Sequence, residues 1–309
     1  MHTQSLDAAS LQALEQLISQ HDFLHLSSNK ELYPESLGAG MPLIEVKTEL
    51  CHAVISLQGA QLMGFQPRTG DQLLWVSPNC DFTPGAALRG GIPICLPWFG
   101  PNQTDPTKQK HGFARNEYWQ LASSHLLNDG SVELAFLFLH DANHLFAYDF
   151  SAELRITLGA SAKLELTVNN TDTEDFPCSW AMHNYYPIAD LAAVKVIGLA
   201  ERNYLDNLEG HSVKMQTGDL GFSGPVDRVF PDINNSLQIS GAPQIEIHHH
   251  NCPSVVTWNP GTEAAAQIED IGAGQEQAYI CVERGAVLAE QWQIPAGGSQ
   301  SAWMEFKQI

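Results

Sequence analysis

SAELRITLGASAKLELTVNN, residues 151–170, decides the fold class. In its second half Leu164, Leu166 and Val168 fall on one face of an extended chain, and Glu165 and Thr167 fall on the other. Moving outward, LIEVKTEL (43–50), CHAVISL (51–57), SVELAFLFLH (131–140), IEIHHH (245–250), AYICVE (278–283) and SAWMEF (301–306) alternate or run apolar over strand-like lengths. RTGD (68–71), NDG (128–130), NNTDTED (169–175) and PAGG (295–298) punctuate them as turns. Many short strands with polar loops predict an all-β sandwich or barrel rather than βαβ units. One helix is expected near the start, where Leu6, Leu11, Leu14, Leu17 and Ile18 keep helical spacing behind Ser5 as N-cap. SSNKELYPESLGAGMP (27–42) reads as a polar linker. The expected division is therefore a helical extension over 1–41 and a single β-sandwich domain over 42–309.

The chain has 309 residues, 44% hydrophobic and 16% charged. A globular chain of this size buries roughly 75% of its unfolded surface and needs no disulfide or metal staple. The net charge of −20, from 15 basic and 35 acidic side chains, argues against nucleic acid and anionic membrane surfaces as partners. A phosphorylated small molecule would need a local basic pocket set against that field. Six scattered cysteines without a CxxC pair read as small buried hydrophobes in a reducing compartment. No run approaches 18 apolar residues, and the N-terminus lacks a signal-peptide pattern, so a cytoplasmic protein is expected, as a monomer.

Five segments could carry chemistry. LRGGIPICLPWFGP (88–101) sets Arg89 before Gly90 and Gly91, so a planar guanidinium lies beside backbone that a ligand can approach closely. The alternative is a tight corner with a solvated arginine. KHGFARNEYW (110–119) spaces His111 and Arg115 around a Gly-Phe turn, and either could equally be a surface residue. WAMHNYYPI (180–188) places His183 among aromatics, as a core histidine or in a partly dry wall suited to a sugar face. AYICVERG (278–285) ends an apolar run on Glu283, costly to bury unless it is catalytic or paired, for example with a neighbouring arginine. VVTWNPG (255–261) offers Trp258 as a stacking platform or a core residue. His248 and His250 share a strand face but lack an evident third ligand, so no metal site is expected. No Walker A loop, GxGxxG or GxSxG motif supports a nucleotide or serine-hydrolase reading.

LRGGIPICLPWFGP, HGFAR, WAMHNYY, VDRVF, VVTWNP and ICVERG, in this order from about Pro42 to the end, resemble the hexose-6-phosphate mutarotases (glucose-6-phosphate 1-epimerases), a branch of the aldose 1-epimerase family. The resemblance implies a galactose-mutarotase-like β-supersandwich with an open cleft on one sheet. It implies an acid at His183 and a base at Glu283, phosphate binding by Arg89 and Arg115, and sugar contacts from Asp227, with His111 and Trp258 lining the cleft. The loop NQTDPTKQK (102–110) departs from the family pattern, which leaves Gln103, Lys108 and Lys110 open as contacts. Asp206 in YLDN competes with Asp227 for the sugar-binding role.

Such an isomerase opens a cyclic hemiacetal and recloses it on the other face. One base and one acid on opposite sides of C1–O5 suffice, so no nicotinamide, metal or other cofactor is expected. An ionised Glu283 and a protonated His183, favoured by a nearby carboxylate, form the expected pair. The implied substrate is a hexose 6-phosphate, glucose 6-phosphate first. The alternatives are an aldose 1-epimerase for neutral sugars and a non-catalytic carbohydrate-binding sandwich.

Overall fold

The computed structural model describes residues 8–38 and 40–309. The 151–170 stretch forms the strands Phe150–Leu158 and Ala162–Asn170, paired antiparallel, with buried and half-buried positions alternating along both. They sit within a nine-stranded antiparallel sheet that also holds Val132–His140, Ile245–His250 and Ser299–Gln308. Leu154, Ile156, Leu164, Leu166 and Met304 point from it into the main core, where they join Val255, Ile280 and Val282 from an eight-stranded sheet. The two faces thus share one apolar filling, as the period-two pattern requires.

The eight-stranded sheet carries the chemistry. Its order runs Ser212–Met215, Asn203–Asp206, Val226–Phe230, Ser254–Asn259, Tyr279–Ala286, Trp180–Met182 and Ile94–Cys95, with Tyr185–Pro187 also paired to Tyr279–Ala286. Alternation splits Tyr279–Ala286. Ile280, Val282 and Ala286 enter the main core, and Tyr279 and Cys281 join a second apolar cluster with Trp75, Tyr185 and Ile271. Glu283 shares the side of Cys281, and Arg284 takes the other.

Helix is scarce. Ala8–Ile18 packs Leu14 and Ile18 into the core, with Leu11 and Leu17 against it. The N-cap expected at Ser5 and the apolar position Leu6 lie outside the described residues. The stretch read as a linker begins within a strand, Leu24–Ser28, which pairs with Pro42–Lys47 at the edge of a four-stranded sheet. Only its last two residues, Ser27 and Ser28, fall in that polar stretch, and the strand shows no alternation of buried and exposed positions. Gln120–Leu126 was also not expected. A bulge between Leu121 and Ser123 shifts its register and breaks the alternation. All six cysteines are buried and free. No helix among the described residues is long and apolar enough to cross a membrane.

Candidate active site

Two loops meet before the site is complete. Gly90 takes φ +123°, and a Cβ there would collide with the backbone of Trp75 and Val76, so the close approach demands glycine. Gly112 takes φ +68° and abuts the Leu96 carbonyl, which accepts from the amides of Phe113 (3.0 Å) and Ala114 (3.2 Å). This locks HGFAR onto ICLPW and brings Arg89, His111 and Arg115 to one mouth.

These residues line a cleft of about 380 Å³ with His183, Asp227, Trp258 and Glu283. All seven positions singled out in the sequence therefore converge. Its volume falls within the range of small-molecule sites. Lys110, Phe99, Asn207 and Ile268 line it as well. A second concavity, between Lys47 and Arg68, has its charges paired: Lys47 and His52 with Glu45, and Arg68 with Glu49.

At the floor, His183 Nε2 lies 3.5 Å from Glu283 Oε1, and their side chains are 9% and 1% exposed. His183 Nδ1 and Glu283 Oε2 have no protein hydrogen-bond partner. The imidazole stacks on Tyr185, with centroids 4.8 Å apart and planes at 12°. Its backbone amide donates to Pro93 O at 2.9 Å. Trp258 stands edge-on to His183 at 6.1 Å. Glu283 is opposite Val256 in the sheet, and Asp227 is opposite Trp258.

Electrostatics here differ from the sequence expectation. Burial first, then His111, Arg115 and Arg89, push His183 well below the usual imidazole value. Burial, reinforced by Asp227 and opposed by Arg115, pushes Glu283 well above the usual carboxylate value. The expected favouring of a protonated His183 by the nearby carboxylate is opposed here by burial. Desolvation disfavours the charged form of both groups. Nor does Glu283 pair with Arg284, which faces the opposite side. There the Arg284 guanidinium donates to the carbonyls of Ile233 (2.7 Å), Asn235 (2.6 Å) and Cys252 (3.4 Å).

His111 has φ +69°. Its amide donates to Gly100 O at 2.8 Å, and its Nδ1 accepts from Gly100 N at 3.3 Å. That leaves Nε2 carrying the proton. Burial and the nearby cations Arg115, Arg89 and Lys110 lower its pKa to about 3, so it is a neutral donor and not a second acid.

The two arginines are unequal. Arg89 donates from Nε and Nη2 to both oxygens of Asp270 (3.0 and 3.1 Å) and from Nη1 to Tyr185 Oη (2.9 Å). Arg115 donates from Nη2 to Lys110 O at 3.1 Å, its Nε is buried without a partner, and no carboxylate pairs with it among the described residues. Of the open positions in 102–110, Lys110 reaches the cleft. Gln103 instead donates to Pro101 O, and neither it nor Lys108 lines the cleft.

Asp206 does not compete with Asp227. Its Oδ1 accepts from Leu208 N and its Oδ2 from Lys214 Nζ, so it caps the turn Asn207–Glu209. The next residue, Asn207, lines the cleft and donates to Asp227 Oδ1 at 2.7 Å, leaving its own Oδ1 unpartnered. Sequence reasoning missed Asn207; an Asp-Asn pair before a turn is a capping signal, and only the second residue turns inward. Asp227 itself is shifted upward, first by burial and then by Asp206, against its bond to Asn207.

The decisive comparison is with the aldose 1-epimerase family, whose pattern matches residues 42–307. The chain belongs to the aldose 1-epimerase family. Among its aldose 1-epimerase relatives, a protein of Cenchrus ciliaris with the provisional name glucose-6-phosphate 1-epimerase is 33% identical over 251 residues, 77% of this chain and 75% of that one. A Salmonella typhimurium protein with the same provisional name is 34% identical over 257 residues, 81% and 85% of the two chains. A crystal structure of a Salmonella typhimurium protein provisionally described as a mutarotase superposes with TM-score 0.80 at 29% identity, covering 86% of this chain and 90% of that one. The galactose-mutarotase-like sandwich expected from the sequence is thus the fold, and aldose 1-epimerase membership makes this chain a sugar isomerase. Among the described residues no group of three or more His, Cys, Asp or Glu side chains could hold a metal ion. His248 is engaged with Ser236 Oγ (2.8 Å) and Glu246 (3.1 Å).

Proposed function

We propose that this protein interconverts the α and β anomers of hexose 6-phosphates, glucose 6-phosphate first, by acid–base ring opening. The observation that carries this reading is one cleft holding a buried His–Glu pair with an unpartnered atom on each, and two arginines at its mouth. Glu283 takes the proton of the O1 hydroxyl as His183 gives one to the ring oxygen. C1–O5 breaks, C1–C2 rotates, and the reversed transfers close the other anomer. No electron or proton is gained or lost overall, so a pair that shares one proton is sufficient.

The phosphate supplies binding energy away from the reacting carbon. Arg115, with Lys110 beside it, presents free charge, and Arg89 presents the N–H groups that Asp270 and Tyr185 leave unused. Anion binding also offsets the two cations that depress His183. The shared proton then moves toward the imidazole, which leaves Glu283 as the carboxylate base. Asp227, Asn207 and His111 Nε2 offer polar contacts to sugar hydroxyls, and Trp258 offers a ring face.

Anomer exchange of glucose and glucose 6-phosphate, followed by NMR, tests the reading. A kcat/KM well above that for glucose is expected for the phosphate. Equal values would make this an epimerase of neutral aldoses, and binding without faster exchange would make it a carbohydrate-binding sandwich.

The pH profile checks the proton arrangement. On unphosphorylated glucose, which avoids the phosphate's own pKa near 6, kcat/KM should hold a broad plateau. Its acid limb reports a second proton joining the pair and should fall well below pH 6.5, because His183 is depressed. Its alkaline limb reports loss of the shared proton and should lie well above the ordinary carboxylate range. An acid limb centred at or above pH 6.5 would contradict this arrangement. Chelator-treated, desalted protein should keep full activity. A loss restored by a divalent ion would return His248 and His250 to consideration.

A further inference from the structure

Arg89 sits at the cleft mouth, but the group that fixes it does not line the cleft. Asp270 lies 181 residues away in the chain and grips Nε and Nη2 of Arg89 in a bidentate pair, with the two side chains 22% and 26% exposed. Tyr185 Oη accepts from Nη1 on the other side. Three of the five guanidinium N–H groups are thereby committed, leaving one on Nη1 and one on Nη2. Burial works against the charge of Arg89, yet Tyr185 and Asp270 outweigh it and hold the cation above its ordinary value.

The segment bearing Asp270 is itself anchored. Ile271 is buried in the cluster of Trp75, Tyr185 and Tyr279, and its carbonyl accepts from Asn79 Nδ2 at 3.0 Å. Arg89 is held from its backbone too, donating to Cys80 Sγ at 3.2 Å and accepting from Ser77 N at 3.0 Å. Ile268, whose carbonyl accepts from the amides of Ile271 and Gly272, both at 2.9 Å, reaches the cleft. A long, flexible side chain is thus fixed at both ends before any ligand arrives.

We propose that Asp270 is a positioning residue for anion recognition: it acts through Arg89, fixing the plane of the guanidinium so that its two remaining N–H groups meet the substrate phosphate. This rests on the hexose-phosphate reading. An arginine pre-ordered in this way loses little side-chain freedom on binding, which is where the gain lies. The alternative, that Asp270 merely blunts the charge of Arg89, makes the opposite prediction, because its removal would then tighten anion binding.

The test compares Asp270→Asn, Asp270→Ala and Asp270→Glu with wild type on glucose 6-phosphate and on glucose. Asn and Ala should raise KM for the phosphate about 10- to 100-fold while kcat stays within about threefold. Glu, which restores a bidentate carboxylate, should recover part of the loss. Turnover of glucose should not change. An unchanged or lowered KM in Asp270→Asn would overturn the proposal, and so would an equal fall on both sugars, which marks a structural role. If wild type itself does not prefer the phosphate, the hexose-phosphate reading fails first. Asp270 is then judged by the Arg89 Nε–H NMR signal during titration with inorganic phosphate. A response in wild type that weakens in Asp270→Asn supports positioning, and no difference between them refutes it.

Discussion

His183→Ala and Glu283→Gln should each slow anomer exchange of glucose 6-phosphate by on the order of 10²–10⁴-fold, the worth of a placed acid or base. Each removes one half of a pair whose Nε2 and Oε1 stand 3.5 Å apart in the free protein. Neither loss should be recovered by more substrate, because the arginines at the mouth remain. Glu283→Gln carries a second expectation with the opposite sign. Glu283 titrates well above the usual carboxylate value because it is buried. Ionising it therefore costs folding free energy, and that cost grows as pH rises from the unfolded value near 4.5 toward the folded one. The variant should melt about 2 °C or more above wild type at neutral pH, with the difference vanishing below about pH 4.5. Near-normal exchange in a folded variant would remove that residue from the chemistry. A lower melting temperature at pH 7 would show that the carboxylate is instead paired.

Arg115→Ala should lower kcat/KM on glucose 6-phosphate by about 100-fold, in the range for removing one side of a desolvated charge contact, and leave glucose within about threefold. Arg115 is the cleaner probe because it has no carboxylate partner among the described residues. Arg89→Ala strands the carboxylate of Asp270 at the cleft mouth and unties Tyr185, on which His183 stacks. It should therefore injure both substrates to some degree, and the double change with Asp270→Ala should recover only the part of the glucose loss that the stranded carboxylate causes. An equal fall on both sugars in Arg115→Ala would make that arginine structural and remove the phosphate assignment.

Much of this protein is legible in its sequence because the informative signals are local. Alternation along Ala162–Asn170 reports which side of a strand is buried, whatever its partner. Glycines at 90 and 112 report a backbone pressed against a neighbour. Glu283 stands out at the end of an apolar run, Arg89, His111 and Arg115 beside glycine turns, and His183 and Trp258 among strand aromatics, whereas Asp227 is named only through the family resemblance. Signals fade where solvent or a turn makes few demands. Leu24–Ser28 lies at an edge and runs into the polar 27–42 stretch, and the bulge in Gln120–Leu126 erases its period.

What the sequence by itself determined is the β class, the strands with a regular period and the residue types available for acid–base and anion chemistry. Tertiary structure alone decided who meets whom and which of them lose contact with water. It set His183 against Glu283 across 100 residues of chain, gave Arg89 a partner in Asp270 and left Arg115 without one. It turned Asn207 inward and spent Asp206 on a cap. It also buried His183 and Glu283 so that the charged form of each is disfavoured. The physical reason is that side-chain period is a property of neighbouring residues, whereas pairing and desolvation belong to groups that become neighbours only when the sheets close. Burying a carboxylate and an imidazole together disfavours the charged form of each, which no local pattern in the chain foretells.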